Sequence, residues 1–446
     1  MGIPIEHKGR YFYHFTHIDN IESIVKCRAL LSTNLKKQQG IYHHNIASID
    51  IQNRRSEMKV PVGPKGVIHD YVPFYFTSIN PMLLGLLNRK VIDQPYICFI
   101  AVSIDKILDK NVIFTDASAN RKEQPNFYEH PSDLKQLNWK VIDSLRWGDG
   151  SEKEKHLRMA EVLIHQSVPL EWIDSFIVFN KIGKLKVEDC YKKNGLDIPC
   201  ISYDWFNGRP FFFTKFFFEN RKNETLITGP IQLYDQYKSA VQFIIEEKRK
   251  NLYKEATFEN IEHALKLLEE NFCALPELEG IYELQTANKM HQKNVGEHTL
   301  SVVNNLPNSC FYERLGKAQK DIVKFAAYLH DIGKGPKEKW EEGIQMIYPD
   351  HPADAIPMLK RILTEEFLNI AEEEICLICL LVIYHDLMGE IIGKGRSIEE
   401  LHSLGLDEQK LYMLAALSEA DSCAIGSLWA FGISKKLEDL IDKVLR

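Results

Sequence analysis

In the second half of the chain, histidines and aspartates recur at positions where chemistry is possible. His298 follows Gly296-Glu297, and His330 and Asp331 are adjacent within Tyr328-Leu-His-Asp-Ile-Gly-Lys334. His351 sits in Pro349-Asp-His-Pro352, His385 and Asp386 close an apolar run, and Asp421 lies in Ser418-Glu-Ala-Asp-Ser422. Imidazole nitrogen and carboxylate oxygen are donors that divalent transition metals accept. Any one of these residues, at the end of a core helix, is ordinarily a satisfied core or capping residue. Six such positions, each beside a strongly apolar helical segment, are hard to assemble by chance. Asp386 reads as a helix cap. Lys334, one helical turn past His330, suits either a phosphate contact or a solvated surface.

The first half carries a different set of blocks. In order they are Tyr13-His-Phe-Thr-His-Ile-Asp-Asn-Ile21, Ile51-Gln-Asn-Arg-Arg55, Asp70-Tyr-Val-Pro-Phe-Tyr-Phe76, Asn80-Pro-Met-Leu83, Phe114-Thr-Asp116 and Arg158-Met-Ala-Glu-Val-Leu-Ile-His165. His14 and Thr16 are separated by one residue on an expected strand, so both face the same side. Glu161 interrupts an otherwise apolar run. Of the aromatic residues Tyr71, Phe74, Tyr75 and Phe76, at least two are expected to be core.

Both halves resemble known families. The order H, HD, H, H, D over roughly residues 255–430 resembles the HD-domain metal-dependent phosphohydrolase superfamily, in its members that hold two metals. Val295-Gly-Glu-His-Thr-Leu300 is similar to the first HD helix of nucleotide-handling enzymes. The resemblance implies that His298, His330, Asp331 and Asp421 hold one divalent ion. Asp331 would bridge to a second ion held by His351 and His385. Two ions about 3.5–4 Å apart generate hydroxide and clamp phosphate oxygens, and Lys334 would steady the phosphate. Histidine-rich ligation suits Mn, Fe, Co or Ni, and Mg less well. The implied substrate is a nucleotide or nucleic-acid phosphate.

The blocks of the first half, over roughly residues 8–182, resemble the DarT DNA ADP-ribosyltransferase family. That family moves ADP-ribose from NAD to a base in single-stranded DNA. The nicotinamide–ribose bond breaks through a cation like that of glycoside cleavage, which a nearby carboxylate stabilises. The resemblance makes Glu161 that carboxylate. It assigns NAD contacts to His14, Thr16 and Asn20 and a ring stack to Tyr75. One arginine of the pair Arg54-Arg55 would face the pyrophosphate or the target base; Arg54 is favoured, with the alignment of the two left open. Arg121, Lys122, Trp139, Arg146, Trp147 and Arg158 combine charge with stacking surface, as a single strand requires. Thr115-Asp-Ala-Ser-Ala119 departs from the family, where Gly and a polar residue are common, and leaves the choice of substrate open. The implied whole is a bifunctional enzyme, in a toxin–antitoxin or antiphage setting. The alternatives are a transferase gated by a non-catalytic, nucleotide-sensing HD module, or one that acts on RNA or protein.

These residues need scaffolds of two kinds. Short runs rich in Val, Ile, Phe and Tyr predict strands at Ile97–Ile104, Val112–Thr115, Glu161–Ile164, Phe176–Asn180 and Arg209–Phe218, with a helix near Asp19–Ala29. In the second half, stripes at Ile261, Ala264, Leu265 and Leu268, at Ile322, Phe325, Ala326 and Leu329, and at Leu411, Leu414, Ala415 and Leu417 predict helices. The expected architecture is therefore multidomain: an α+β ADP-ribosyltransferase-like domain over 1–185, a connector with hairpin and helix over 186–254, and an all-α HD domain over 255–446. The chain of 446 residues, 45% apolar and 26% charged, suits that size. Residues 1–254 carry a net charge of +7 and residues 255–446 a net charge of −14. A basic first half suits a polyanion. An acidic second half suits one only if bound cations reverse the local sign. The run Ile375–Tyr384 is too short to span a bilayer, which takes about 20 residues, so no membrane partner is expected. Nine scattered cysteines, an odd number, predict reduced thiols and a cytoplasmic protein. Cys376 and Cys379 read as core thiols.

Overall fold

The computed structural model describes residues 2–46, 49–119, 124–145, 151–203, 210–215, 226–250, 255–287, 293–426 and 432–446. They form two compact units, Met1–Gly229 and Pro230–Arg446. The stretch 186–254 is thus divided between the units. The first unit is α/β around one mixed sheet, and the second is helical.

The first unit is built on strands β1 (Tyr11–His17), β2 (Ala29–Leu31), β3 (Tyr71–Tyr75), β4 (Ile97–Ser103), β5 (Val112–Thr115), β6 (Phe127–Tyr128), β7 (Glu161–His165), β8 (Ser167–Pro169), β9 (Ser175–Val178) and β10 (Ile201–Ser202). Eight of them form a sheet in the order β10-β9-β4-β1-β3-β7-β5-β6, while β2 and β8 pair separately. Within the large sheet, among the described residues, only β9 and β10 run parallel. β4 lies near its middle and is buried along Ile97–Val102, which is why its sequence is apolar without alternation. One face packs Phe12, Phe74, Ile100 and Val162 against Ile21, Ile24 and Val25 of the helix Asn20–Lys26 and Val187 of the helix Lys181–Lys193. The other packs Phe15, Tyr75, Phe99 and Ile177 against Leu83, Leu86 and Leu87 of the helix Pro81–Asn88.

One junction in this sheet is loose. β1 pairs with β4 from Tyr11–Ser103 through His17–Ile97, and β3 with β7 from Tyr71–His165 through Tyr75–Glu161. Among the described residues, β1 and β3 meet at the single pair Tyr13–Tyr75. The sheet is therefore slit between the strand that carries His14 and the strand next to Glu161.

The strand expected over Arg209–Phe218 is not formed by its described part, 210–215. Phe211, Phe212 and Phe213 are buried without a ladder. The described stretch makes only the isolated antiparallel bridge Thr214–Leu226, with Ile227 N–H donating to the Phe213 carbonyl at 3.2 Å. The Gln94 side chain completes the bonding: Phe213 N–H donates to its Oε1 at 2.7 Å, and its Nε2 donates to the Phe213 carbonyl at 2.9 Å. A buried backbone needs partners of some kind, and a distant amide and the Ile227 N–H supply them here. The remainder of that stretch, and most of the expected hairpin, lie outside the described residues.

In the second unit the helices that frame the site are Val295–Asn305, Lys317–Leu329, His351–Glu365, Glu372–Tyr384, Leu387–Lys394 and Glu408–Ile425. The connector helix runs Pro230–Arg249. The three apolar stripes are buried. Glu372–Tyr384 is buried nearly all round, from Ile375 to Tyr384. The stretch Glu372–Lys394 is long and apolar enough to cross a membrane, but 72% of its apolar window is buried against the rest of the unit. The helix Val295–Asn305 starts on a capping box: Glu297 N–H donates to Asn294 Oδ1 at 2.8 Å and Asn294 N–H to Glu297 Oε2 at 3.0 Å. Two glycines allow close backbone approach. A Cβ at Gly333 would stand 1.9 Å from the His351 carbonyl oxygen, and one at Gly296 would stand 2.3 Å from that of Tyr282. All nine cysteines are free.

Candidate functional sites

In the helical unit the six singled-out residues converge although they span more than a hundred positions of sequence. His298, His330 and Asp421 place one ligand atom each within 4.8 Å of one another, and so do Asp331, His351 and His385. Asp331 joins the two groups. Its Oδ2 is 3.3 Å from His330 Nε2 and 3.8 Å from His298 Nε2, and its Oδ1 is 3.3 Å from His351 Nε2 and 3.9 Å from His385 Nε2. His298 Nε2 also lies 2.8 Å from Asp421 Oδ1. The site opens on a cavity of about 340 Å³ that Lys334, Lys293 and Lys394 also line.

The protonation of the rings follows from their anchors. His330, His351 and His385 direct Nδ1 at the carbonyls of Ala327, Tyr348 and Val382, at 2.7, 2.9 and 2.8 Å. A carbonyl only accepts, so each Nδ1 carries the proton and each Nε2 presents a lone pair inward. His351 Nε2 and His385 Nε2 then face each other at 3.1 Å, acceptor to acceptor. Two lone pairs at that distance repel unless a cation lies between or beside them. His330 Nε2 and Asp331 Oδ1 are buried and make no hydrogen bond among the described residues, which is costly in a dry interior. This donor set fits divalent metal ions. Burial works to raise the Asp331 carboxyl, but the Lys334 ammonium beside it holds it well below the usual carboxylate range. Lys334 Nζ is 2.6 Å from Asp331 Oδ2.

The sequence led to a different expectation for Asp386. It makes no side-chain cap on the helix that follows. Its Oδ2 instead lies 3.5 Å from both His351 Nε2 and His385 Nε2. The adjacent pair His385-Asp386 in the sequence was the available signal.

In the first unit Glu161 opens β7 and is wholly buried. Arg55 grips it with both arms, Nη1 to Oε1 at 2.9 Å and Nη2 to Oε2 at 2.8 Å. The Ala119 N–H adds a third bond to Oε1 at 2.9 Å, so the loop with the unusual Ala-Ser pair ends on this carboxylate. Arg55 is buried, whereas Arg54 is exposed on the same helix, Ile49–Glu57. The structure therefore places Arg55, not Arg54, at Glu161. Tyr75 pairs with Glu161 across the strands. Its ring stacks on Phe15, and its hydroxyl reaches Met82 Sδ at 3.1 Å. Phe74 and Phe76 are core.

His14, Thr16 and Asn20 line a second pocket with Lys36 and His43. His14 Nδ1 meets the Pro73 carbonyl at 2.8 Å across the slit. Burial pushes His14 down to about 4, so it is neutral at pH 7. Asn20 does not cap its helix. Its amide donates to Thr16 Oγ1 at 2.8 Å and to the His44 carbonyl at 3.0 Å, and it accepts from His44 N–H at 2.7 Å. It thereby clasps the loop 41–46 over the pocket. Lys36 carried no sequence signal, since it sits in an ordinary polar run.

Of the expected single-strand surface, Arg121, Lys122, Arg146 and Trp147 lie outside the described residues. The other two are engaged internally. Trp139 stacks on His7, lies under the Arg10 guanidinium at 4.4 Å and donates to the Leu134 carbonyl at 2.7 Å. Arg158 is buried and donates to the Ser144 carbonyl at 2.6 Å.

Comparison with known proteins agrees with these two units. Residues 13–206 match the family model described as ssDNA thymidine ADP-ribosyltransferase, DarT, and residues 295–391 match the HD domain. The protein is thus a DarT-like unit followed by an HD unit. A DNA ADP-ribosyl transferase of Thermus sp. (strain 2.9) is 32% identical over 203 residues, which is 44% of this chain and 94% of that protein. One of Thermus aquaticus is 32% identical over 181 residues, 40% of this chain and 78% of that protein. The structure of Thermus sp. 2.9 DarT in complex with ADP-ribosylated ssDNA aligns with 29% identity and a TM-score of 0.40, covering 46% of this chain and 99% of that one. The chain belongs to the DarT family of DNA ADP-ribosyltransferases.

Proposed function

We propose that the first unit transfers ADP-ribose from NAD to a base in single-stranded DNA and that the second is a metal-dependent phosphohydrolase. The observation that carries the first reading is the buried Glu161 carboxylate beside the slit between β1 and β3, with one relative named for this activity spanned over 94% of its length. NAD supplies a ribosyl carbon that becomes electron-poor as nicotinamide leaves. Glu161 stabilises that charge, and Arg55 and the Ala119 N–H hold the carboxylate in place. His14, Thr16 and Asn20 line the nucleotide pocket, and Tyr75 is the cross-strand partner of Glu161. Unpaired DNA suits a target atom that a duplex hides, because extrusion costs a few kcal/mol.

In the second unit, His298, His330, Asp331 and Asp421 would hold one ion, and Asp331, His351 and His385 a second, with Asp386 beside it. Bound metal supplies a water acidic enough to attack phosphorus. Lys334 neutralises phosphate oxygens from the pocket wall. A nucleotide or nucleic-acid phosphate is the substrate class we assign. A transferase that modifies DNA endangers the cell that makes it, which suits a cytoplasmic toxin–antitoxin or antiphage setting.

The test is labelled NAD offered with single-stranded DNA, duplex DNA, RNA and protein in parallel. Label appears on a base of the single strand and is lost in Glu161→Ala. Label on RNA or protein alone overturns the DNA reading. For the second unit, phosphate release from nucleotides with Mn, Co or Ni present is lost in Asp331→Ala; no release with any of the metals overturns it.

A further inference from the structure

The pocket beside the slit holds one charge without a counter-charge. Its polar lining consists of His14, Thr16, Asn20, Ser23, Lys36 and His43, with no carboxylate among the described lining residues. Burial pushes His14 and His43 down to about 4, with Lys36 acting in the same direction on both. His69, also within reach of the Lys36 charge, is pushed to about 4 by burial as well. His14 and His43 are neutral at pH 7, so among the described residues Lys36 is the one cation that lines this pocket. Burial alone moves Lys36, down to about 8; no neighbouring carboxylate compensates. A half-buried ammonium with no acid beside it is costly in the empty pocket. Such a cost persists without penalty to function when a ligand brings the missing negative charge.

We propose that Lys36 is the anion-binding residue of this pocket and that its ligand group is the pyrophosphate of the dinucleotide. The proposal rests on the NAD reading of the pocket. The geometry favours the pyrophosphate over a DNA phosphate. Lys36 belongs to the wall formed with His14 and Thr16, on the inner side of the loop that Asn20 clasps. A continuous polynucleotide would need an open groove tracked by several cations, whereas this wall offers one. The two neutral lining histidines, His14 and His43, matter as well. They can hydrogen-bond sugar hydroxyls without competing for the phosphate charge.

The test is calorimetric titration of the full chain with ADP-ribose, adenosine and a single-stranded oligonucleotide, before and after Lys36→Met. A charge-assisted contact to phosphate corresponds to a weakening of about 10- to 100-fold when lost. We expect that loss for ADP-ribose, no change for adenosine, which lacks phosphate, and no change for the oligonucleotide. Lys36→Arg should retain most of the ADP-ribose affinity. Lys36→Gln, which keeps a polar tip, serves if Lys36→Met does not fold. Equal ADP-ribose affinity in the substituted and unaltered chains overturns the proposal and leaves the NAD reading intact. Weakening for the oligonucleotide alone assigns Lys36 to DNA and overturns it too. If the unaltered chain binds no ADP-ribose, the NAD reading itself falls and takes the proposal with it.

Discussion

Replacing Arg55 with Met leaves the Glu161 carboxylate in an awkward position. Glu161 is wholly buried and loses two charge-assisted bonds of 2.8 and 2.9 Å, keeping only the Ala119 N–H. Stranding one charge of a buried pair costs about 3–5 kcal/mol, against a domain stability of about 5–15 kcal/mol. The unit should therefore remain folded but be measurably loosened. Glu161→Met strands the guanidinium instead and should cost a similar amount. The double variant removes both charges, and apolar replacement of a buried pair is often close to neutral. It should therefore be more stable than either single variant, by about 3–5 kcal/mol. A chain of two units does not unfold in one step, so the assay is hydrogen exchange of the β7 amides Val162–Ile164, which report on this unit locally. All three variants should be inactive as transferases. If the two single costs simply add in the double variant, the pair is not energetically coupled, and the account of Arg55 as the residue that holds Glu161 is wrong.

Other outcomes follow from the same geometry. Asp331→Ala removes the residue shared by both ligand groups, so metal content by elemental analysis should fall from about two ions towards none, whereas Lys334→Ala should leave it nearly unchanged. Asn20→Ala deletes three hydrogen bonds; the loop 41–46 should become more sensitive to limited proteolysis, and NAD affinity should drop about 10-fold or more. His14, held at about 4 when folded against 6.5 when free, makes stability depend on acidity. The unfolded chain takes up the proton first, so the first unit keeps its stability above pH 6.5 and loses it progressively as pH falls from 6.5 towards 4. His14→Asn should flatten that part of the melting-temperature profile; an unchanged slope would show that His14 is not the group responsible.

How far the sequence could be read depended on whether a residue's neighbours are local. The metal-type donors were legible because His330, Asp331, His351 and His385 sit at helix ends, and His298 and Asp421 within a turn or so of one, beside strongly apolar segments. Asp386 was misread for the same reason: the end of a helix suggests a cap, and only the packing of three helices shows that it faces His351 and His385. The choice between Arg54 and Arg55 was not legible. Successive residues on a helix point about 100° apart, and Ile49–Glu57 has too few apolar residues to fix its rotation. Phe211–Phe213 resemble a strand in composition. Their backbone is held by Gln94, more than a hundred positions away, together with the Ile227 N–H. Trp139 and Arg158 have the composition of a nucleic-acid surface, yet His7, Arg10 and the Ser144 carbonyl claim them.

The anchoring of the three histidines has a consequence for how the helical unit would respond to chelators. In His330, His351 and His385 alike, Nδ1 is tied to the carbonyl three residues earlier. Each ring is therefore aimed by its own stretch of backbone, not by the ion it would ligate, and the backbones are seated against one another where Gly333 meets the His351 carbonyl. The receptor exists before its guest. Stripping the ions should behave as the emptying of a socket, with the helices still in register and exchange between different divalent ions reversible and quick. Small zinc-dependent domains behave otherwise, because they unfold when the metal is removed. A single methyl group at Gly333 would do more lasting harm than any chelator, because it would move the socket itself.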